Sequence, residues 1–175
     1  NAINIINKSK FKIKNISSKI YKRNPLAPFI TSTLQQAASS KFGFGASRTM
    51  QIAQKLYQGI EIEGETTGLI TYMRTDGTQI SNEAITEFRD LIIKDFGKEY
   101  IPDRPNTYDG KRAKNAQEAH EAIRPTEIKR KPHDIKKFIN SDQFKLYELI
   151  WSRALSSQMR PAKFDRNSIV ISSKD

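Results

Sequence analysis

The chain reads as a mainly α-helical domain with short strands, an α+β fold, on three observations. Apolar residues recur at helical spacing through most of residues 29–161. Both ends alternate apolar and polar residues in the manner of strands. Gly or Pro stands where each helical run has to stop. At 175 residues the chain is long enough for one domain with a hydrophobic core, plus pieces of a neighbour.

Residues 1–24 hold seven basic residues and no acidic one, and Phe11-Lys12-Ile13-Lys14 alternates like a half-buried strand. Ser32 or Thr33 is placed to cap a helix that runs through Lys41 and closes at Gly43. Ser47 is placed to cap a second, with Met50, Ala53 and Leu56 on one face and Gly59 as its stop. Two short helices across Phe42-Gly43-Phe44-Gly45 form a candidate helix-turn-helix. After the polar turn at Glu63-Gly64-Glu65, Gly68–Met73 reads as a short strand. Ser81 caps a helix whose Ile85, Phe88, Ile92 and Phe96 make one stripe, ended by Gly97. A Pro/Asn/Gly-rich loop covers 101–115, and a short helix spans Gln117–Ile123 and stops at Pro125. A last helix, about 142–159, buries Leu146, Leu149, Ile150 and Ala154 and ends at Pro161. Asn167–Ser173 is again strand-like, so both ends read as severed strands of something larger. The expected division is a partial strand region at 1–31, a helical unit at 32–160 and a second strand region at 161–175.

The net charge of +11 points to a polyanionic partner, because Lys and Arg neutralise phosphates and release their counterions. Part of it also follows from a Lys-, Asn- and Ile-rich composition of the kind AT-rich coding DNA produces. With no cysteine there is neither a disulfide framework nor a Cys-based zinc site. No apolar run reaches the roughly 18 residues of a membrane span, and the N-terminal residues do not form a signal peptide. The expectation is a cytoplasmic protein with no membrane partner.

Chemistry concentrates in Leu69-Ile70-Thr71-Tyr72-Met73-Arg74-Thr75-Asp76. In an extended chain Tyr72 and Arg74, two apart, project to one side. Attack on phosphorus needs a phenolate, which a nearby guanidinium favours, and the guanidinium fork matches two phosphate oxygens. The pair suits attack of Tyr72 on a phosphodiester with Arg74 stabilising the charge that develops. Alone, Tyr-x-Arg is more often an ordinary half-exposed strand with a surface arginine. A second cluster is Gln117-Glu-Ala-His120-Glu-Ala-Ile-Arg124-Pro-Thr126, where His120 could serve a scissile phosphate as hydrogen-bond or proton donor. The bland alternative is a salt-bridged histidine beside Glu118 and Glu121. No His-Glu-x-x-His pattern is present and His133 is remote, so no metal ligands are assigned.

Taken together, Pro28-Phe-Ile-Thr-Ser-Thr-Leu-Gln-Gln-Ala, Ile70-Thr-Tyr-Met-Arg-Thr-Asp and His120-Glu-Ala-Ile-Arg-Pro-Thr resemble, in order and spacing, the type IA family of bacterial DNA topoisomerases. The resemblance runs from about Arg23 to Asp165. It implies that Tyr72 forms a 5′-phosphotyrosine link, that Arg74 contacts the scissile phosphate and that His120 sits beside it. It departs from the family at Gly77, where Ser is usual. It further implies ATP-independent, Mg²⁺-dependent relaxation of negatively supercoiled DNA by single-strand cleavage, strand passage and religation. The helical unit looks like the family's domain III with its CAP-like helix-turn-helix, inserted in the domain II arch that supplies the flanking strands. The family's Mg²⁺ site lies in a TOPRIM domain, and no Asp-x-Asp-x-Glu occurs in this chain. The expectation is therefore an excised segment that binds no cofactor and is inactive alone. Its partners would be DNA and the remaining TOPRIM and domain IV parts of the same polypeptide, in the bacterial nucleoid.

Two rivals remain. Tyrosine recombinases also combine Tyr, Arg and His, but place the Tyr after a His-x-x-Arg pair, whereas Tyr72 precedes His120 and three residues separate His120 from Arg124. A non-catalytic helix-turn-helix module would use Arg48 and Lys55 on its second helix toward phosphates; Arg124, one helical turn beyond His120, is a further candidate for DNA binding.

Overall fold

The structure is a computed structural model that describes residues 2–108 and 121–173. It is a mixed α and β chain in two compact units, Asn1–Asn24 with Pro161–Asp175, and Pro25–Arg160.

In the first unit, helix α1 (Ala2–Lys8) precedes strand β1 (Phe11–Arg23), which pairs antiparallel with the last strand of the chain, Ala162–Ser173. Both strands are longer than alternation suggested, because polar pairs such as Ser17 with Ser168 continue the ladder without any apolar signal. A bulge between Ile13 and Asn15 shifts the register. Its effect is to bring Ile13 and Ile16, three apart, onto one face. Phe11, Ile13, Ile16 and Ile20 line that face with Ile169 and Ile171 of the partner strand, each more than half exposed. The other face carries Lys12, Lys19 opposite Arg166, and Tyr21 opposite Phe164.

The second unit holds helices α2 (Thr31–Phe42) and α3 (Ala46–Gln58), strands β2 (Ile60–Ile62) and β3 (Glu65–Thr67), and helices α4 (Asn82–Asp95), α5 (Pro132–Ile135) and α6 (Ser141–Ser157). The final strand is then β4. Helix α2 starts one residue before the expected caps. Ile30 is its N-cap, and the Thr33 hydroxyl accepts from the Ile30 N–H at 3.1 Å. Helix α3 starts from Gly45, so Ser47 lies inside it. Ser81 does cap α4, accepting from the Ala84 N–H. The α4 stripe is turned from the one expected: Ala84, Phe88, Leu91 and Ile92 are buried. Phe96 lies past the helix end, exposed and against Tyr100. The turn at Glu63-Gly64, with φ of 54° and 90°, joins β2 and β3 as a two-residue hairpin.

Residues 68–73 do not form a strand. Only Ile70 makes an isolated bridge, to Pro125. Nor is 121–123 helical: Glu121 bridges Gln79 and Ile123 bridges Phe29. The rest of that expected helix, 117–120, lies outside the described residues.

Helix α6 is the spine. Leu146, Tyr147 and Ile150 join a core with Leu34 and Ala38 of α2, Ala53 and Leu56 of α3, and Phe29, Ile70, Met73 and Ile123. One turn on, Ala154 and Leu155 close a second core with Phe88, Leu91 and Ile92 of α4 and Ile128. Trp151 packs against both cores and donates from Nε1 to the Ile128 carbonyl at 2.8 Å. No helix among the described residues is long and apolar enough to cross a membrane.

Tyr147 is wholly buried and donates its hydroxyl to the Arg130 carbonyl at 2.7 Å. Burial, partly offset by the Arg130 guanidinium, pushes the phenol well above the ordinary tyrosine range. A raised folded-state pKa means that this stabilisation is complete below the unfolded value, about 10, and is lost as pH rises from there. Tyr147→Phe is expected to cost about 1 kcal/mol at pH 7 through the lost hydrogen bond. It should also flatten the alkaline decline in stability by up to about 1.4 kcal/mol per pH unit. Urea melts of both proteins between pH 8 and pH 11 measure this, and parallel declines would contradict it.

Candidate active site

The segment that carries Tyr72 is extended but pairs with no strand, so its side chains alternate while its backbone bonds go to three places. Met73 and Thr75 are buried, whereas Tyr72, Arg74 and Asp76 are exposed. Tyr72 is 51% exposed. Strand-like alternation therefore survives without a strand, and Tyr72 and Arg74 both present to solvent.

The approach to Tyr72 runs close over the end of α3. The Leu69 N–H donates to the Leu56 carbonyl at 2.8 Å. A Cβ built on Gly68 would stand 2.8 Å from the Tyr57 carbonyl oxygen, so only glycine allows that approach. The Tyr57 ring then meets the Tyr72 ring edge-on, with centroids 5.4 Å apart and planes at 65°.

Thr71 holds the backbone immediately before Tyr72. Its N–H donates to the Arg124 carbonyl at 2.9 Å, and its hydroxyl donates to the Ala122 carbonyl at 2.7 Å. The same hydroxyl accepts from the Arg124 N–H at 3.0 Å. Beyond Tyr72, the Thr31 N–H donates to the Thr75 carbonyl at 3.0 Å. Neither threonine was singled out in the sequence, although each ends an apolar run, Phe29-Ile30-Thr31 and Leu69-Ile70-Thr71, where a hydroxyl has no packing purpose.

Arg74 opens onto a groove of about 790 Å³. Ser47, Arg48, Gln51, Gln54, Lys55 and Gln58 form its wall along α3, and Asn140, Asp142 and Gln143 close it at the start of α6. The fold thus brings Arg74, Arg48 and Lys55 to one groove whose remaining polar lining is mostly amide. Arg48 lies over the Phe44 ring, with 4.6 Å to its centroid, and is paired with Asp142. That fixes its guanidinium at the rim and offsets part of its charge. The amide row was not anticipated, yet Ser47, Gln51, Gln54, Lys55 and Gln58 stand at one-face helical spacing.

Arg124 is placed differently from the other basic residues. Its Nε donates to a Glu121 carboxylate oxygen at 2.7 Å and its guanidinium donates to the Pro125 carbonyl at 2.9 Å. It braces the segment that holds Thr71 and does not line the groove. His120 lies outside the described residues. Among the described residues no group of three or more His, Cys, Asp and Glu is arranged to hold a metal ion. The carboxylates of Asp142 and Glu121 are already paired with arginines, so these residues do not fit a magnesium site.

An exposed tyrosine two residues from an arginine that lines a cationic and amide-lined groove suits a single nucleic-acid strand: cations meet phosphates and amides meet base edges or sugars. A sequence model of the DNA topoisomerase family matches residues 1–175. DNA topoisomerase 1 of Rickettsia bellii is 53% identical over 165 residues, which is 94% of this chain and 20% of that protein. Its counterpart from Helicobacter pylori is 47% identical over 168 residues, 96% of this chain and 23% of that one. Full-length topoisomerase I from Thermotoga maritima superposes with a TM-score of 0.82 at 42% identity, covering 99% of this chain and 27% of the other. The chain spans about a fifth of the length of its Rickettsia relatives. Matched from its first residue to its last by the family's pattern, and in fold by a solved member, this chain belongs to the bacterial DNA topoisomerase I (type IA) family.

Proposed function

We propose that this chain supplies the tyrosine nucleophile of a type IA DNA topoisomerase, with Tyr72 as the attacking residue. The observation that carries this is the exposed Tyr72 two residues from Arg74, which lines a groove with Arg48 and Lys55. The Tyr72 oxygen attacks a backbone phosphorus of one strand and forms a phosphotyrosine at the 5′ end. The bond to the 3′ oxygen breaks, the phenolic proton is given up, and the leaving oxygen departs as a 3′-hydroxyl. After the other strand passes, the same hydroxyl attacks the phosphotyrosine and restores both groups. Arg74 offers its guanidinium to the phosphate oxygens as charge builds on them. Because the phosphodiester is exchanged and not hydrolysed, no ATP is needed. The relaxation would act on negatively supercoiled DNA.

The proposal includes a role for His120 as hydrogen-bond donor at the phosphate, and a bracing role for Arg124, whose guanidinium is taken up by Glu121 and Pro125. Magnesium would be held by a TOPRIM domain elsewhere in the polypeptide, and no step above runs through it. The helical unit corresponds to domain III, with α2 and α3 as its helix-turn-helix, and the ribbon of β1 and β4 to part of the domain II arch. That ribbon would act as a hinge when the gate opens. Its exposed apolar face supports a place against further parts of the same polypeptide. The setting would be the bacterial cytoplasm, at the nucleoid.

A second reading, a binding module without chemistry, is favoured by the groove alone. The two separate on one measurement. In the full-length protein Tyr72→Phe should abolish covalent trapping of single-stranded DNA while leaving its affinity within about twofold, as removal of a nucleophile does. Arg74→Ala should slow trapping by about 10²- to 10³-fold, the scale of losing one donor to a charged transition state. Undiminished trapping by Tyr72→Phe would leave only the binding module.

The isolated chain should bind single-stranded DNA weakly and fail to relax plasmid at any magnesium concentration. Its affinity should fall with salt, and Lys55→Ala should reduce the slope of log K against log [salt] by about 0.7, one phosphate contact on a single strand. Fluorescence titrations at several salt concentrations and a plasmid assay test both. An unchanged slope removes Lys55 from the interface, and robust relaxation removes the need for a partner domain.

A further inference from the structure

We infer that Thr31, the first residue of α2, is a positioning residue for the Tyr72–Arg74 segment, acting through a single hydroxyl. The inference rests on the proposed nucleophile role of Tyr72 and extends it to a residue outside the groove lining that bonds to the backbone of Met73 and Thr75.

The hydroxyl of Thr31 sits between two backbone groups that flank Arg74. It accepts from the Thr75 N–H at 2.8 Å and lies 2.8 Å from the Met73 carbonyl and 3.0 Å from the Thr75 carbonyl. One hydroxyl carries one proton. The Met73 carbonyl is the nearer of the two, and the Thr75 carbonyl already receives the Thr31 N–H at 3.0 Å, so we assign the proton to Met73. Three bonds then close around one residue: Thr31 O–H to Met73, Thr75 N–H to the Thr31 hydroxyl, and Thr31 N–H to Thr75. Arg74 is gripped from both sides along the chain, and Tyr72 is the residue before the grip.

A threonine at a helix start ordinarily serves its own helix. Here that service is rendered otherwise: Ile30 is the N-cap of α2, its N–H is taken by the Thr33 hydroxyl, and its carbonyl receives the Leu34 N–H. The Thr31 side chain is thus spent on a segment more than forty residues away. On the other side of Tyr72, Thr71 makes an equivalent grip on Ala122 and Arg124. Tyr72 is suspended between two threonine clamps, one anchored on α2 and the other on residues 122–124. Residues 71–78 belong to no helix and no ladder, so the clamps take over the positional control that a strand would exert. A half-exposed nucleophile without them keeps its chemistry and loses its aim.

Thr31→Val keeps shape and removes the hydroxyl; Thr31→Ser keeps the hydroxyl. Both go into the full-length protein beside Tyr72→Phe. Single-turnover formation of the covalent adduct on a single-stranded oligonucleotide is measured at saturating DNA, at a temperature where circular dichroism shows every variant folded. Thr31→Val should slow the adduct by about ten- to a hundredfold, the range for a nucleophile displaced by about an ångström. Its Kd for the oligonucleotide should stay within twofold, and Thr31→Ser should recover to within threefold of the wild-type rate. An adduct formed by Thr31→Val at the wild-type rate overturns the inference. So does a Thr31→Ser as slow as Thr31→Val, or a defect that lies wholly in Kd. Adduct formation by Tyr72→Phe would instead defeat the nucleophile assignment on which the inference stands, so the two failures are distinguishable.

Discussion

Every buried backbone N–H and C=O needs a partner, and the stretch from Leu69 to Thr75 meets that demand without belonging to a sheet. Leu69 bonds to the end of α3, Thr71 to residues 122–124, and Thr75 to the start of α2. Those partners are far apart in sequence, so the stretch is the point at which α2, α3 and the 121–126 segment are tied together. The isolated bridges Phe29–Ile123, Ile70–Pro125 and Gln79–Glu121 are the same knot seen as pairings. Displacing any strand of it would expose Ile70, Met73 and Ile123 together, because their side chains share one core. The exposure of Tyr72 and Arg74 follows as the other half of the alternation.

The two cores give that knot a rigid backing. Helix α6 contributes to both, and Trp151 bridges them, so α2 and α3 on one side and α4 on the other are referred to a single helix. The groove wall is the solvent side of α3, with Ile52 in its lining, while the inner side, Ala53 and Leu56, is in the core. The positions of Arg48 and Lys55 are therefore set by apolar packing on the opposite side of the same helix, while Arg74 reaches the groove from the knot.

Charge and apolar surface are divided unevenly. The ribbon of β1 and β4 places like charges opposite each other, Lys19 with Arg166 and Lys22 with Lys163, which weakens a ladder. Its Ile-rich face is open, and two strands by themselves are marginal in water. The helical unit, in contrast, pairs some of its charges with opposite ones, Arg48 with Asp142 and Lys131 with Asp95. The groove keeps Lys55 and Arg74 alongside an arginine already offset by a carboxylate, so its field is basic but moderate.

What the sequence determined by itself is local and periodic. The α+β class, the α6 face of Leu146 and Ile150, the Ser81 cap, the glycine link between α2 and α3, and the exposure of Tyr72 with Arg74 all rest on spacing or on turn chemistry. Interactions between distant residues were decided by the tertiary structure. Gly68–Met73 has the composition of a strand, but its pairing with 124–126 stops at the single Ile70–Pro125 bridge and its two flanking backbone bonds, so it forms a bridge and two threonine clamps. The α4 stripe turned because Leu91 meets the second core and Phe96 falls beyond the helix end. Arg124 and Arg48 are alike as letters, yet Glu121 draws one into the brace behind Thr71 and the Phe44 ring holds the other at the groove. Periodicity shows which side of an element is wet; only packing decides what stands across from it.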